Sequence, residues 1–252
     1  MRFDGKVVVV TGAAGGFGEG IARRFASLGG TVAVVDLRHE EAERVAGEIE
    51  AAGGVARPFT ADVSRSEDMR RLAGDIADAF GGTDVLVNNA GITHKNGPML
   101  EVDEATFDRV FATNVKSIYL SAIALVPQMQ ARGGGAIVNI ASTAGIRPRP
   151  GLTWYNGSKG AVITLTKSMA AELAPDGIRV NAINPVMGDT GMLAGLLRGE
   201  DTEDNRAKII ATIPLGRFSQ PRDIANAATF LASDESDLIT GACLEVDGGR
   251  CI

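Results

Sequence analysis

Cysteine and histidine are scarce in this chain, with two of each in 252 residues. Cys243 and Cys251 are too few for a disulfide framework and sit in no metal-ligand spacing, and with two histidines a zinc site would need mostly carboxylates. A disulfide-stapled secreted fold and a zinc module are therefore excluded, no metal is expected, and a reducing compartment is. The chain also lacks any block of Lys and Arg: 25 basic residues against 31 acidic ones leave a formal charge of −6, so no footprint for nucleic acid or an anionic membrane is expected. No apolar run approaches the roughly 18 residues of a membrane span. The first ten residues carry Arg2, Asp4 and Lys6 before a short valine run, which is not the layout of a signal peptide. A cytoplasmic protein without a membrane partner is expected. No repeat, linker or low-complexity segment divides it.

What is present is ordinary globular material, 45% hydrophobic and 22% charged, long enough to bury one sizeable core. Glycine is the exception: 32 residues are roughly twice the average usage of about 7%, clustered in loops without a collagen period, which points to tight turns and close backbone approaches.

Short β-branched runs alternate with longer amphipathic stretches. Val7 to Val10, Thr31 to Val35, Val55 to Thr60, Asp84 to Val87, Ala136 to Ile140, Ile178 to Ile183 and Cys243 to Val246 predict seven strands, most of them apolar throughout, as strands buried on both faces are. Helical patterns fall between them at about 17–29, 39–52, 66–80, 103–131, 155–174 and 221–232, with Ser66, Asp103 and Pro221 as start signals. Strand then helix, repeated, predicts a three-layer α/β fold with a doubly wound parallel sheet, one domain over residues 1–252. A Gly-, Met- and Leu-containing insertion at about 186–214 falls where strand carboxyl ends gather, the edge at which open α/β sheets bind ligands.

The first predicted strand runs into Thr11-Gly12-Ala13-Ala14-Gly15-Gly16-Phe17-Gly18 and directly into a helix. Such a turn lets backbone approach a pyrophosphate, with free N–H groups and the helix dipole facing the anion. Without Gly-Lys-Ser/Thr it is no nucleoside-triphosphate loop. Asp36 ends the second strand at the distance where a carboxylate meets the ribose 2′-hydroxyl of NAD and repels a 2′-phosphate. NAD is therefore expected over NADP, Arg38 being the feature that would accommodate the latter. Asp62-Val63 and Asn88-Asn89-Ala90-Gly91 follow the third and fourth strands at the same edge, three loops where turn chemistry alone needs fewer.

After the fifth strand, Ile140-Ala141-Ser142 precedes a helix carrying Tyr155-Asn156-Gly157-Ser158-Lys159. Positions i and i+4 share a helix face, so the Tyr155 phenol and Lys159 ammonium project into one site. A nearby cation favours phenolate and is expected to bring Tyr155 toward a general base.

With these stretches, with Asn114 in the long helix, with Asn184-Pro185 and with Leu244-Glu245-Val246-Asp247-Gly248-Gly249, the chain resembles the short-chain dehydrogenase/reductase family over essentially its whole length. The resemblance implies a Rossmann fold in which Tyr155 exchanges the proton, Ser142 holds the substrate oxygen, Lys159 binds the nicotinamide ribose and Asn114 orders a relaying water. It implies a dinucleotide held by Gly12, Gly15, Gly16, Phe17, Gly18, Asp36, Leu37, Asp62, Val63, Asn89, Ala90, Gly91, Tyr155, Lys159, Pro185, Val186, Gly188 and Thr190. Val186 stands where the family usually has glycine, Gly188 being the residue that compensates, and Gly157-Ser158 replaces the usual Ala-Ser before the lysine. Expected substrate contacts are His94, Ser142, Thr143, Ala144, Trp154, Tyr155 and Met187. Met192 and Leu193 are further candidates, while Leu196 and Leu197 are expected mainly to pack the core.

Arg147 and Arg149, separated by Pro148, lie between Ser142 and Tyr155; an anionic substrate would explain them, as would a solvated charge pair or subunit contact. A homotetramer is implied, with Ile118, Leu120, Ile123, Leu125 and Val126 of the long helix offered for partner burial. The expected function is an NAD-dependent oxidoreductase interconverting a secondary alcohol and a ketone on a small polar or cyclic molecule. The alternatives are a 3-oxoacyl-(acyl-carrier-protein) reductase using NADPH, and a non-catalytic dinucleotide sensor.

Overall fold

Strand β1 (Val7–Thr11) shows why the sheet reads as a run of valines. Val8 and Val10 face one hydrophobic core and Val7 and Val9 face another, because successive side chains of a strand point to opposite sides and here neither side meets water. β2 (Thr31–Asp36), β3 (Val55–Thr60), β4 (Val85–Asn88), β5 (Gly135–Ile140), β6 (Ile178–Pro185) and β7 (Cys243–Val246) complete one sheet in the order β3-β2-β1-β4-β5-β6-β7. All pairings are parallel. The edge strands β3 and β7 are partly exposed and read less apolar for that reason. The computed structural model describes residues 1–197 and 200–252.

Helices α1 (Gly16–Ser27), α2 (His39–Ala51) and α9 (Pro221–Ala232) cover one face with Ile21, Phe25, Val45 and Ile224. On the other face α3 (Ser66–Phe80), α5 (Ser117–Ala131) and α6 (Thr153–Leu173) bury Met69, Leu72, Leu125, Met129 and Ala170. Helices on both faces of a parallel sheet make this a Rossmann fold.

Two expectations are corrected here. The helix predicted over 103–131 is α4 (Glu104–Phe111) and α5 joined by a π-helical turn, Ala112–Lys116, that carries Asn114. Of the five residues offered to a partner, Ile118, Leu120, Leu125 and Val126 are buried within this chain, and only Ile123, with Tyr119 beside it, faces outward. By length and composition alone Glu104–Ala131 would pass for a membrane span; its apolar residues instead pack beneath the sheet. The insertion at 186–214 holds two short helices absent from the sequence reading, α7 (Leu193–Leu196) and α8 (Glu203–Ile210); Arg198 and Gly199 within it lie outside the described residues. Leu193, Leu196, Leu197, Ile213 and Phe218 pack against Val186, Met187 and Tyr155, so the insertion is a cover with its own apolar core.

Candidate active site

The sheet order reverses between β1 and β4, and side-chain bonds tie the two strand ends together at this switch point. Thr11 Oγ1 accepts from the Asn89 and Ala90 amides at 3.1 Å, and Asn89 Nδ2 donates to the Thr11 and Gly12 carbonyls at 2.9 and 3.0 Å. The turn after β1 requires its glycines. Gly12 and Gly16 have φ of 63° and 55°, conformations that side chains rarely adopt. A Cβ on Gly18 would lie 2.1 Å from the Gly12 carbonyl oxygen, so this residue serves close packing and does not line the cavity. With the first turn of α1 presenting free N–H groups, the cradle fits a dinucleotide pyrophosphate. Asp36 is buried at the end of β2. Its carboxylate accepts from the Ala14 amide at 3.0 Å and from the Arg38 amide and Nε at 3.0 and 3.3 Å.

A cavity of about 920 Å³ runs from Asp36 and Asp62 past Gly91 to Ser142, Tyr155 and Lys159, then under Met187, Met192 and Leu196. The helix that bears Tyr155 and Lys159 is held to the sheet by buried polar side chains. Ser121 Oγ donates to Asn88 Oδ1 at 2.8 Å, Asn88 Nδ2 to Asn139 Oδ1 at 2.9 Å, and Asn139 Nδ2 to Thr166 Oγ1 at 3.0 Å, linking α5 through β4 and β5 to α6. Satisfied networks of this kind fix geometry. Asn114 holds the same helix from another side: Nδ2 donates to Ser158 Oγ and to the Ile92 carbonyl at 2.9 Å, and Oδ1 accepts from the Ile92 amide at 2.8 Å. The Asn114 Oδ1 and the Lys159 Nζ each lie 3.3 Å from where a Cβ on Gly91 would stand.

Tyr155 and Lys159 do share one helix face, but their mutual influence differs from the sequence expectation. Lys159 Nζ donates to the Ile140 carbonyl at 2.8 Å and lies 6.0 Å from the centre of the Tyr155 ring. Burial pushes the phenol above its ordinary value, opposed by hydrogen bonding with Ser142 and by the Arg149 charge. Burial likewise lowers the Lys159 ammonium to about 8. Desolvation disfavours the charged form of each, and for Tyr155 it outweighs the Ser142 hydrogen bond and the Arg149 charge.

Of the predicted substrate contacts, Ser142, Thr143, Ala144, Tyr155 and Met187 line the cavity, as do Val186, Gly188 and Thr190. His94 and Trp154 do not. His94 is buried, with Nδ1 on the Lys95 carbonyl at 2.9 Å; Trp154 donates from Nε1 to the Met99 carbonyl and meets the Phe107 ring edge-on. Gly188 leaves room for Phe17, whose ring would stand 2.3 Å from a Cβ there. Arg109, Ile209 and Arg250 line the cavity without having been singled out. Arg250 arrives from the far end of the chain, and no local pattern signals it.

A family model described as enoyl-(acyl carrier protein) reductase matches residues 12–250. The chain is 50% identical to the 4-formylbenzenesulfonate dehydrogenase of Comamonas testosteroni over 100% of both proteins. It is 38% identical, again over 100% of both, to the 3-oxoacyl-(acyl-carrier-protein) reductase of Thermotoga maritima. A crystal structure of 3-ketoacyl-(acyl-carrier-protein) reductase from Brucella melitensis complexed with NADH superposes with a TM-score of 0.92 at 45% identity, covering 99% of each chain.

Proposed function

This chain belongs to the short-chain dehydrogenase/reductase family, and on that premise we propose that residues 1–252 act as one NAD-dependent catalytic unit interconverting a secondary alcohol and a ketone on a small polar or cyclic molecule. The observation that carries the reading is the meeting of Tyr155, Ser142 and Lys159 in the cavity that begins at the glycine cradle. Bound nicotinamide dinucleotide supplies the carbon that takes up or returns the hydride. Tyr155, as phenolate, accepts the hydroxyl proton of the alcohol and, as phenol, returns it to the ketone. Ser142 Oγ, within hydrogen-bonding reach of the Tyr155 phenol, holds the reacting oxygen. Lys159, held by the Ile140 carbonyl, would hold the nicotinamide ribose, and Asn114 is assigned the proton relay toward solvent. Reduction of the dinucleotide by a panel of secondary alcohols tests the whole; no turnover of any alcohol or ketone would sink it.

Ser142→Ala separates the roles. Its hydrogen bond pulls the Tyr155 pKa down, so without it less phenolate exists at a given pH. Oxidation is expected to fall roughly a hundredfold, most strongly at low pH, with its alkaline rise displaced upward. An unchanged pH profile would assign Ser142 a structural role only.

NAD is preferred because the buried Asp36 carboxylate opposes a 2′-phosphate. In Asp36→Asn, which keeps one of the two acceptors, the ratio of kcat/KM for NAD over NADP is expected to drop by roughly tenfold or more. Equal use of both cofactors by the unaltered protein would refute the preference. Arg38, beside Gly15, supports the second reading, an NADPH-dependent 3-oxoacyl reductase; activity with an acetoacetyl thioester and NADPH would favour it. A non-catalytic sensor needs no such proton route.

A homotetramer is also proposed, supported by the outward Tyr119 and Ile123 on α5. Sedimentation at micromolar concentration checks it, and a monomer would contradict it.

A further inference from the structure

The charged groups lining the cavity are unevenly placed: Asp36 and Asp62 share one end with Arg38, and the reacting end holds cations. Its carboxylates among the described residues, Asp36 and Asp62, end β2 and follow β3, on the far side of β1 from the reacting groups. Around Tyr155, the charged side chains that line the cavity from the loop after Ser142, helix α6 and the carboxyl-terminal tail are the cations Arg147, Arg149, Lys159 and Arg250, with the Ile252 oxygen accepting from Arg147 Nη1 at 3.4 Å. The chain as a whole carries a net charge of −6, so this cluster runs against the average of the molecule. Like charges gathered in a partly desolvated site repel one another unless an anion compensates them.

Two guanidiniums form its centre. Arg149 is half-buried, and no carboxylate among the described residues pairs with it; burial and the neighbouring Arg250 both push its pKa below the ordinary value, while Tyr155 raises it. Its backbone is held in place. Pro148 and Pro150 flank it, and its carbonyl accepts from Asn156 Nδ2 on α6 at 2.9 Å. Arg250 is delivered by a turn through Gly248 and Gly249, with φ of 63° and 87°. The nearest carboxylate in that turn, Asp247, is engaged by the backbone: it accepts from the Gly249 and Cys251 amides at 2.8 and 2.7 Å. Arg147 Nη1 donates to the Arg250 carbonyl at 2.6 Å, tying the tail to the Arg149 loop. The wall beside the cations is apolar, formed by Ala144, Met187, Met192, Leu196 and Ile209.

We propose that Arg149 and Arg250 clamp the anionic end of the substrate, an alcohol or ketone whose apolar skeleton lies on Met187, Met192 and Leu196 and terminates in a carboxylate or sulfonate. The proposal rests on the dehydrogenase reading of Tyr155 and names its substrate class. A neutral acyl thioester would leave Arg149 uncompensated, whereas a charged terminus gains charge-assisted hydrogen bonds in a water-poor site. A surface for an acidic protein partner would hold its cations outside the cavity; these line it together with Tyr155.

The test is calorimetric titration of the NAD-loaded protein with cyclohexanecarboxylate and benzenesulfonate, against their uncharged isosteres cyclohexanecarboxamide and benzenesulfonamide. Each anion is expected to bind about tenfold or more tightly than its isostere. The ratio should fall to near one in Arg149→Gln and be partly restored in Arg149→Lys, with the NAD affinity of each variant reporting an intact fold. Equal affinity for acid and amide, no binding of either anion, or a preference surviving both Arg149→Gln and Arg250→Gln would overturn the clamp. Because binding is read without turnover, the two readings fail separately. An anion preference in a protein that oxidises no alcohol refutes the dehydrogenase; turnover of neutral alcohols without anion preference refutes the clamp.

Discussion

Tyr155→Phe is expected to cut turnover by a factor of about 10² to 10⁴, the range for loss of general acid–base catalysis, while NAD still binds. The substitution keeps the ring, which packs with Ala144, Met187 and Leu196 in the apolar cover, and removes only the oxygen that exchanges the proton. Neither of the chain's two histidines lines the cavity. His94 is buried away from the cavity. Retention of more than roughly a tenth of the rate, well above the expected range, would move the proton to another group. The raised Tyr155 pKa adds a sign. Phenolate is the base, so oxidation should rise with pH through the neutral range without levelling off below the ordinary tyrosine value of about 10, while reduction, which needs the phenol, should not rise with it. A chemistry-limited oxidation rate already flat at neutral pH would contradict the burial argument.

Lys159→Met should be at least as damaging to turnover, and it should weaken NAD binding where the phenylalanine variant does not. Its distinguishing mark is on stability. The buried ammonium titrates at about 8 in the folded chain against 10.5 ordinarily, so between those values the unfolded chain binds more protons and wild-type stability rises with pH. The full rise corresponds to about 3 kcal/mol. Methionine carries no charge to desolvate, so the variant is expected to lack that rise, and at neutral pH it escapes a cost that offsets the lost bond to the Ile140 carbonyl. Denaturant midpoints of both proteins at pH 7 and near pH 10 read this directly. Parallel stability curves would show that Lys159 is not desolvated as the structure has it.

The seven strands, their parallel arrangement and the ligand edge were legible because each depends on near neighbours. A valine run such as Val7–Val10 reports burial on both faces whatever surrounds it, and the turn from Thr11 to Gly18 declares itself through its glycines, of which Gly12, Gly16 and Gly18 leave no place for a side chain. The pairing of Tyr155 with Lys159 followed from four-residue spacing on a helix, and Asp36 from its place at a strand end. Spacing did not contain the dielectric around those side chains. Burial raised the phenol and lowered the ammonium, the opposite of what a cation on the same helix face suggests for Tyr155 in water.

Residues distant in the chain were legible least. His94 follows the Asn89-Ala90-Gly91 turn and looked available to a substrate; packing turned it inward, with its Nδ1 on a backbone carbonyl. The apolar side chains of α5 carried no mark of which core they would face, and four of the five offered to a partner proved to be this chain's own interior. Arg149 and Arg250 were two cations in separate loops until Arg147 met the Arg250 carbonyl. By itself, then, the amino-acid sequence determined the strands, most of the helices, the glycine turn and the shared helix face of Tyr155 and Lys159, because periodicity and turn geometry act over a few residues. Only the tertiary structure decided which charges share a cavity and how strongly each is desolvated, because electrostatic energy depends on distances and surroundings that arise when far-separated segments pack together.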